Sequence, residues 1–353
     1  MGLDLEFLRE LCLCPAPSGF EGTVQALLRR RLDGVAETCA DPLGNLWADT
    51  GPEAGPRVLA VAHADQIGMI VTHVDEAGYL RVDAVGWLDQ QLLPGHTVLV
   101  HAAGGPVCGV VGRLPTHIVP EAERGKAAPI KEQFVDIGAH DRAEALSRMA
   151  VGDPVTFDQG FSELTPGRFA SLAIDDRAGV YAVVHGLELY AQAGGKARLT
   201  AASSAHEETT YMGAKALGRR LRPDCVLVVD GTFSSDYPGV DAVRMGGEVK
   251  LGGGPVLGLG STTNRKLTSL AREVATDEGI AVQTNAYAGA LLTDAAELAA
   301  AGEAASLALS IPMRYVHSAA EVADASDIEA TAKLIAALTR RLGEVFEPGM
   351  FVA

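Results

Sequence analysis

The stretch Ala197–Ala214, ARLTAASSAHEETTYMGA, decides how the rest of the chain is read. Its first half, ARLTAA, is a short apolar run of the kind that forms a buried strand. That run ends at Glu207 and Glu208, two adjacent carboxylates that repel each other and are costly to desolvate. A local reading exists. Ser204-Ala-His-Glu207 fits a capping box, in which serine and glutamate close the first turn of a helix. Acids also suit a helix N-terminus. That reading makes Glu208 an ordinary first-turn acid, and it can be weighed only against the other strand ends.

The same texture recurs on both sides. RVLAVA (Arg57–Ala62), CVLVV (Cys225–Val229) and ASLALSI (Ala305–Ile311) are short, continuously apolar runs, as expected of strands covered on both faces. Helical patterns separate them: DDRAGVYAVVHGLELYAQ, TTYMGAKALGRRL, RKLTSLAREVATDEG and DIEATAKLIAALTRRLGE. Near the start, Ser18-Gly-Phe-Glu21 is a second capping-box pattern, opening TVQALLRRRL. Strands alternating with helices predict a largely parallel sheet with helices on both sides. Between about Ile70 and Glu163 the pattern changes to short, Gly-punctuated strands with one helix, DRAEALSRMA. That interval predicts a small β-barrel or sandwich. The fold class is therefore α/β, with residues 1–69 and 164–353 forming a discontinuous α/β domain and 70–163 an inserted β-rich one.

With the strands in hand, the polar residues fall in one place. RVLAVA runs into His63-Ala-Asp65, ARLTAASSA into His206-Glu207-Glu208, CVLVV into Asp230 and SLALSIPMRYV into His317, while Asp175 and Asp176 open a helix. Ligand sites of open α/β sheets lie at the carboxyl ends of the strands. Singly, each residue has a structural role to offer: a core histidine, a helix N-cap at Asp175, a turn at Asp230. Together they put a cluster of acids at one edge, which divalent cations would compensate. Two histidines and three carboxylates suit two metal ions sharing one carboxylate. One glutamate of the pair is then left over to act as a base, because adjacent residues point differently.

Composition narrows the remaining classes. The formal net charge is −16, from 45 acidic and 29 basic residues, which argues against nucleic acid and anionic membranes as partners. No apolar run reaches membrane-spanning length, and the start, MGLDLEFLRE, lacks the pattern of a signal peptide. Met1-Gly2 is followed by Glu6 where a myristoylation site needs Ser or Thr. The five cysteines, Cys12, Cys14, Cys39, Cys108 and Cys225, form no paired framework, which predicts a reducing, cytoplasmic setting. The Gly-rich KLGGGPVLGLGSTTN lacks the Gly-Lys-Ser/Thr of a P-loop.

The motifs AHADQIGMIV, AIDDRAGV, AHEETTYMGA, LVVDGTFSSDYPG and IPMRYVHSAAEVADASDIEAT resemble those of the tetrahedral (TET) metalloaminopeptidases, which include glutamyl and deblocking aminopeptidases. PAPSGFE and PEAERGKAAPIKEQFVDIGAHDRAEA extend the resemblance over nearly the whole chain. It implies a zinc-exopeptidase α/β sandwich with an inserted β-barrel for dimerisation, dimers assembling into a dodecamer, and short peptides as substrates. It also implies two divalent ions per subunit, Zn²⁺ or Co²⁺ with Mn²⁺ as a third option. His63 and Asp230 would hold one ion, Glu208 and His317 the other, and Asp175 would bridge. Glu207 would be the general base, Asp65 would support His63, and Asp176 would shape the bridging segment. The chain departs from the family's pattern at TTYMGA, at GALLTDAAEL, where the family favours glycine near Leu292, and at His206, where Gln is usual. These departures bear on substrate preference.

Two other readings make different predictions. A glycoside hydrolase could use paired carboxylates without metal, but aromatics are 5% of residues, with Trp47 and Trp87 the two tryptophans. A silent peptide-binding scaffold would assemble without turnover. His73, His96, His101, His117, His140 and His185 read as packing or surface residues, while His206 is left open between such a role and a contact to substrate.

Overall fold

The computed structural model describes residues 2–352 apart from Ala290 and Leu292. An eleven-stranded sheet organises the larger body, and a closed six-stranded barrel forms the smaller one. The centre of the sheet is four parallel strands, in the order Arg198–Ser204, Arg57–His63, Cys225–Phe233 and Ala305–Arg314. The α/β expectation is borne out, with one difference: both wings are antiparallel. Thr38–Ala40 pairs with Leu46–Thr50, and Arg168–Ser171 runs between Ser162–Thr165 and Glu321–Asp324. The reason is connection length. Five residues join Thr38–Ala40 to Leu46–Thr50, enough for a hairpin but not for a parallel crossover.

The apolar runs read as they do because both faces of the central strands are covered. Val58, Ala60 and Ala62 enter the main core, whereas Leu59 and Val61 enter a smaller one on the other face. Cys225, Leu227 and Val229 alternate with Val226 and Val228 in the same way. Ile174–Ala193 and Ala325–Val345 pack on the first face, Met212–Leu221 and Asp294–Gly302 on the second.

The barrel strands all fall between Gly68 and Phe157 and enclose a core of their own, with Met69, Val82, Val98, Val135 and Val155 inside. The DRAEALSRMA pattern forms the helix Arg142–Arg148, capped by Asp141, whose carboxylate accepts the Glu144 N–H at 2.8 Å.

Neither capping box forms. At Ser204–Glu207 no helix starts; Glu207–Thr210 is a turn, and the helix begins at Met212. Ser204 Oγ donates instead to Asp294 Oδ2 at 2.6 Å, a buried contact to a carboxylate. At Ser18–Glu21 the helix Gly22–Leu32 starts without a side-chain cap. Glu21 Oε1 accepts the Gly19 and His206 amides, at 2.8 and 3.0 Å, and so ties the first helix pair to the loop that carries the two glutamates.

Candidate active site

The carboxyl edge of the parallel strands is open because the strand pairing stops early. Arg57–His63 and Cys225–Phe233 are in register only as far as Val61 and Val228, so the chains diverge before His63 and Asp230. The start of the Ile174–Ala193 helix enters this region. Asp175 (φ −78°, ψ 108°) and Asp176 (φ −118°, ψ 40°) are not helical, and the peptide bond between them is cis. The N-cap expected at Asp175 is Asp176: its Oδ1 accepts the Gly179 N–H at 3.0 Å, and its Oδ2 accepts the His63 N–H at 3.3 Å. Position 179 must be glycine for this, since a Cβ there would stand 2.2 Å from Asp176 Oδ1.

Asp175 is left free of cap duty, and its two oxygens face two different imidazoles. Oδ1 is 3.3 Å from His63 Nε2, and Oδ2 is 3.5 Å from His317 Nε2. Asp230 Oδ1 lies 3.8 Å from His63 Nε2, and Glu208 Oε2 lies 3.4 Å from His317 Nε2. Glu207 Oε2 is 3.9 Å from His63 Nε2. The structure thus brings His63, Asp175, Glu207, Glu208, Asp230 and His317 together. Asp176 is also within 4.8 Å of His63 and Asp230, but both its oxygens already accept backbone N–H groups.

Both histidines are oriented alike. His63 Nδ1 donates to the Asp65 carbonyl at 3.2 Å, and His317 Nδ1 donates to the Trp87 carbonyl at 3.1 Å. With Nδ1 engaged, each Nε2 is left facing carboxylate oxygens, a contact that needs either a proton on the ring or a metal cation between them. Asp175 Oδ1 is buried and has no hydrogen-bond partner among the described residues. Donor chemistry and orphaned oxygen fit divalent metal at this place: His63, Asp230 and Asp175 could hold one ion, and Asp175, Glu208 and His317 a second.

The charges tell the same story. Burial and the neighbouring Asp175 charge push Glu208 up to about 8, and burial likewise brings Asp230 to about 6. Glu207 is raised well above the carboxylate range by burial and by Asp230, Asp294 and Glu208, with His63 opposing. Burial alone would lower His317, but Asp175 and Glu208 raise it to about 9. His63 is raised well above its ordinary value against burial, by Glu207, Asp175 and Asp230. Without other cations, these groups must share protons to coexist.

Asp65 stands beside His63, as expected of a supporting carboxylate, and has a second task. Its nearest carboxylate oxygen is 3.6 Å from His63 Nδ1. Oδ1 accepts the Glu207 N–H at 3.1 Å and Oδ2 the Glu208 N–H at 3.0 Å. One fully buried carboxylate thus sets the directions of both glutamates. His206, with φ 62°, lies against Gly19 and accepts the Thr210 and Tyr211 amides on its carbonyl. His101 bonds Thr156, His96 packs edge-on to Phe157, and His185 pairs with Glu188, all away from the cluster.

Sequence reasoning missed three contributors. Buried Glu321 accepts the Asp175 and His317 amides; its signal is an acid four residues after His317. Asp294, raised to about 7 by burial, accepts from Ser204 beside the cluster. Trp87 contributes only its backbone carbonyl, which no side-chain pattern announces. The departure at Leu292 lies outside the described residues. A cavity of about 470 Å³ bordered by Gln90, Arg113 and Phe134 lies in the barrel and contains none of the clustered residues.

Comparison with known proteins places nearly the whole chain beside aminopeptidases. A family model described as M42 glutamyl aminopeptidase matches residues 44–334. A lysyl aminopeptidase of Pyrococcus furiosus is 34% identical over 345 residues, 96% of this chain and 98% of that protein. Among solved structures, an aminopeptidase of the archaeon Desulfurococcus kamchatkensis superposes with TM-score 0.88 at 30% identity, covering 95% of this chain and 94% of that one. The TET1 peptidase of Pyrococcus horikoshii, described as assembling into a tetrahedron or a large octahedral shell, gives TM-score 0.87 at 30% identity, covering 95% and 98%.

Proposed function

The chain belongs to the M42 glutamyl aminopeptidase family and is a metal-dependent exopeptidase; from that premise we propose that it releases single residues from the free N-terminus of short peptides, using two divalent ions and Glu207 as general base. His63 and Asp230 would hold one ion, Glu208 and His317 the other, and Asp175 both. The observation that carries this reading is Asp175, each of whose oxygens faces a different histidine Nε2.

Bound ions would supply a Lewis acid for the scissile carbonyl and lower the pKa of the attacking water. Glu207 then takes the proton of that water on a carboxylate oxygen and returns it to the leaving amine as the C–N bond breaks. Its carboxylate is available for this because Asp65 restrains only its backbone N–H. Burial, helped by the neighbouring negative charges, raises its affinity for a proton, which suits a group that must hold one between two steps. Glu208, turned by the same Asp65, presents its oxygen to His317 instead. Adjacent glutamates thus take separate roles. Glycoside hydrolysis gives no use to two histidines aimed at the carboxylates.

For assembly we propose dimers built through the inserted barrel, whose strands lie between Gly68 and Phe157, and a dodecamer of six such dimers. Light scattering on the purified chain checks this; a dimer that does not grow with concentration would sink the dodecamer.

The enzymatic proposal is tested with aminoacyl-p-nitroanilides on metal-stripped protein, before and after adding zinc, cobalt or manganese. Activity should return with metal and vanish when the substrate's amine is acetylated. Equal hydrolysis of acetylated substrates would refute the aminopeptidase reading.

A further inference from the structure

We propose that Glu321 is the positioning residue for the Asp175–Glu208–His317 half of the metal centre, an inference that rests on the two-ion reading above. Glu321 is 2% exposed and opens the strand Glu321–Asp324. Its Oε2 accepts the Asp175 N–H and its Oε1 the His317 N–H, both at 2.9 Å. These two amides belong to backbone outside regular structure. Asp175 precedes the regular part of its helix, and His317 sits in a loop with φ 62°. No ladder fixes either amide, so one carboxylate fixes both. The spacing between the bridging residue and the loop histidine is then set by the width of a single carboxyl group.

Glu321 itself is not placed as a ligand, because each oxygen is already engaged by a backbone donor. The same device occurs at Asp65, which holds the Glu207 and Glu208 amides, and at Asp176, which holds those of His63 and Gly179. Glu321 differs in joining two ligand-bearing segments of one half. The other half stands on the ends of two central strands and depends less on such a clasp.

Glu321→Gln keeps the shape but turns one oxygen into an NH₂, a donor facing a donor. One amide loses its acceptor, and Asp175 or His317 is released. The test is titration of metal-stripped wild type and variant with Co²⁺ against a competing chelator, followed by visible absorption and elemental analysis. Wild type should take up two equivalents. The variant should bind the Glu208–His317 equivalent about 10–100-fold more weakly, the range seen when a supporting partner of a metal ligand is removed, and the other equivalent less affected, because it shares only Asp175 and keeps His63 and Asp230. In a Glu208→Gln background, Glu321→Gln should add little, because both act on the same ion. Equal weakening of both equivalents, or none of either, overturns the inference. A wild-type protein that takes up no Co²⁺ overturns the two-ion reading itself. Should Glu321→Gln fail to fold, Glu321→Asp, which keeps the charge but draws the oxygens back by one methylene, should show the same selective loss.

Discussion

The two halves of the carboxylate–histidine cluster are built from different material. His63 and Asp230 extend adjacent parallel strands, and the alternation of Leu59 and Val61, Val226 and Val228, places them on the same face of the sheet. The His63 side chain is 3% exposed. Glu208 and His317 stand on a turn and a loop, and the His317 side chain is 30% exposed. The first half is held by the sheet. The second is held by buried carboxylates and by a carbonyl from the barrel, since His317 Nδ1 donates to Trp87. On the proposed function, the chemistry would sit where a rigid edge meets an adjustable one, with Asp175 facing both. The rigid half should keep its ion under perturbation, and the adjustable half should lose it.

The largest effect falls on the chemistry and leaves both halves intact. Glu207→Gln should lower kcat by about 10²–10⁴-fold, roughly 3–5 kcal/mol in the barrier, while both ions stay bound. Steady-state kinetics beside elemental analysis of the same sample measures this. Retained full activity would remove Glu207 from the base role. Next comes a change that should split the halves. Glu208→Gln should release the ion of the adjustable half, with affinity falling more than about 100-fold, while the His63–Asp230 ion remains. Simultaneous loss of both ions would show that the halves do not bind separately.

How much of this was legible follows the same division. His63 and Asp230 could be read because apolar runs end abruptly in groups that are costly to bury, and Glu207 and Glu208 because two such groups stand side by side. The barrel was legible from turns at short intervals. The supports were not. Ser18–Glu21 and Ser204–Glu207 match capping boxes locally, yet partners distant in sequence claim Glu21 and Ser204. The amide clasps of Asp65, Asp176 and Glu321 depend on backbone groups brought together by the fold, and Trp87 offers a carbonyl that any residue would have. The antiparallel wings follow from loop lengths that only strand boundaries reveal.

Acidity should act on both halves in one direction. In the metal-free protein Asp230 holds its proton up to about 6, Glu208 to about 8 and His317 to about 9. Metal must displace these protons, so affinity should rise with pH across the window from about 6 to 9 and level off above it. The adjustable half carries the two higher values and should gain over the wider range. For the metal-free fold the carboxylate sign is opposite. Glu208 and Asp230 are raised above their unfolded values, so their stabilising contribution is fully present below the ordinary carboxylate range and is lost as pH rises from there through about 6 for Asp230 and about 8 for Glu208. Cobalt titrations and thermal melts at pH 6, 7.5 and 9 check both signs; an affinity flat across the window would contradict the proton competition.

The smallest expected effect asks whether the barrel contributes to the adjustable half at all. Gly86, one residue before Trp87, has φ +81°. A Cβ there would stand 2.9 Å from Ile67 Cγ2 and 3.3 Å from Glu208 Oε2. Gly86→Ala therefore forces a left-handed conformation on an L-residue, at roughly 1–2 kcal/mol, and pushes the barrel loop away from the glutamate. The Trp87 carbonyl should shift with it and loosen its hold on His317. The expected result is a several-fold weaker second Co²⁺ equivalent, an unchanged first, and a kcat that recovers at saturating metal. If instead the first equivalent weakens as much as the second, the barrel loop supports the whole edge, and the division into a rigid half and an adjustable half fails.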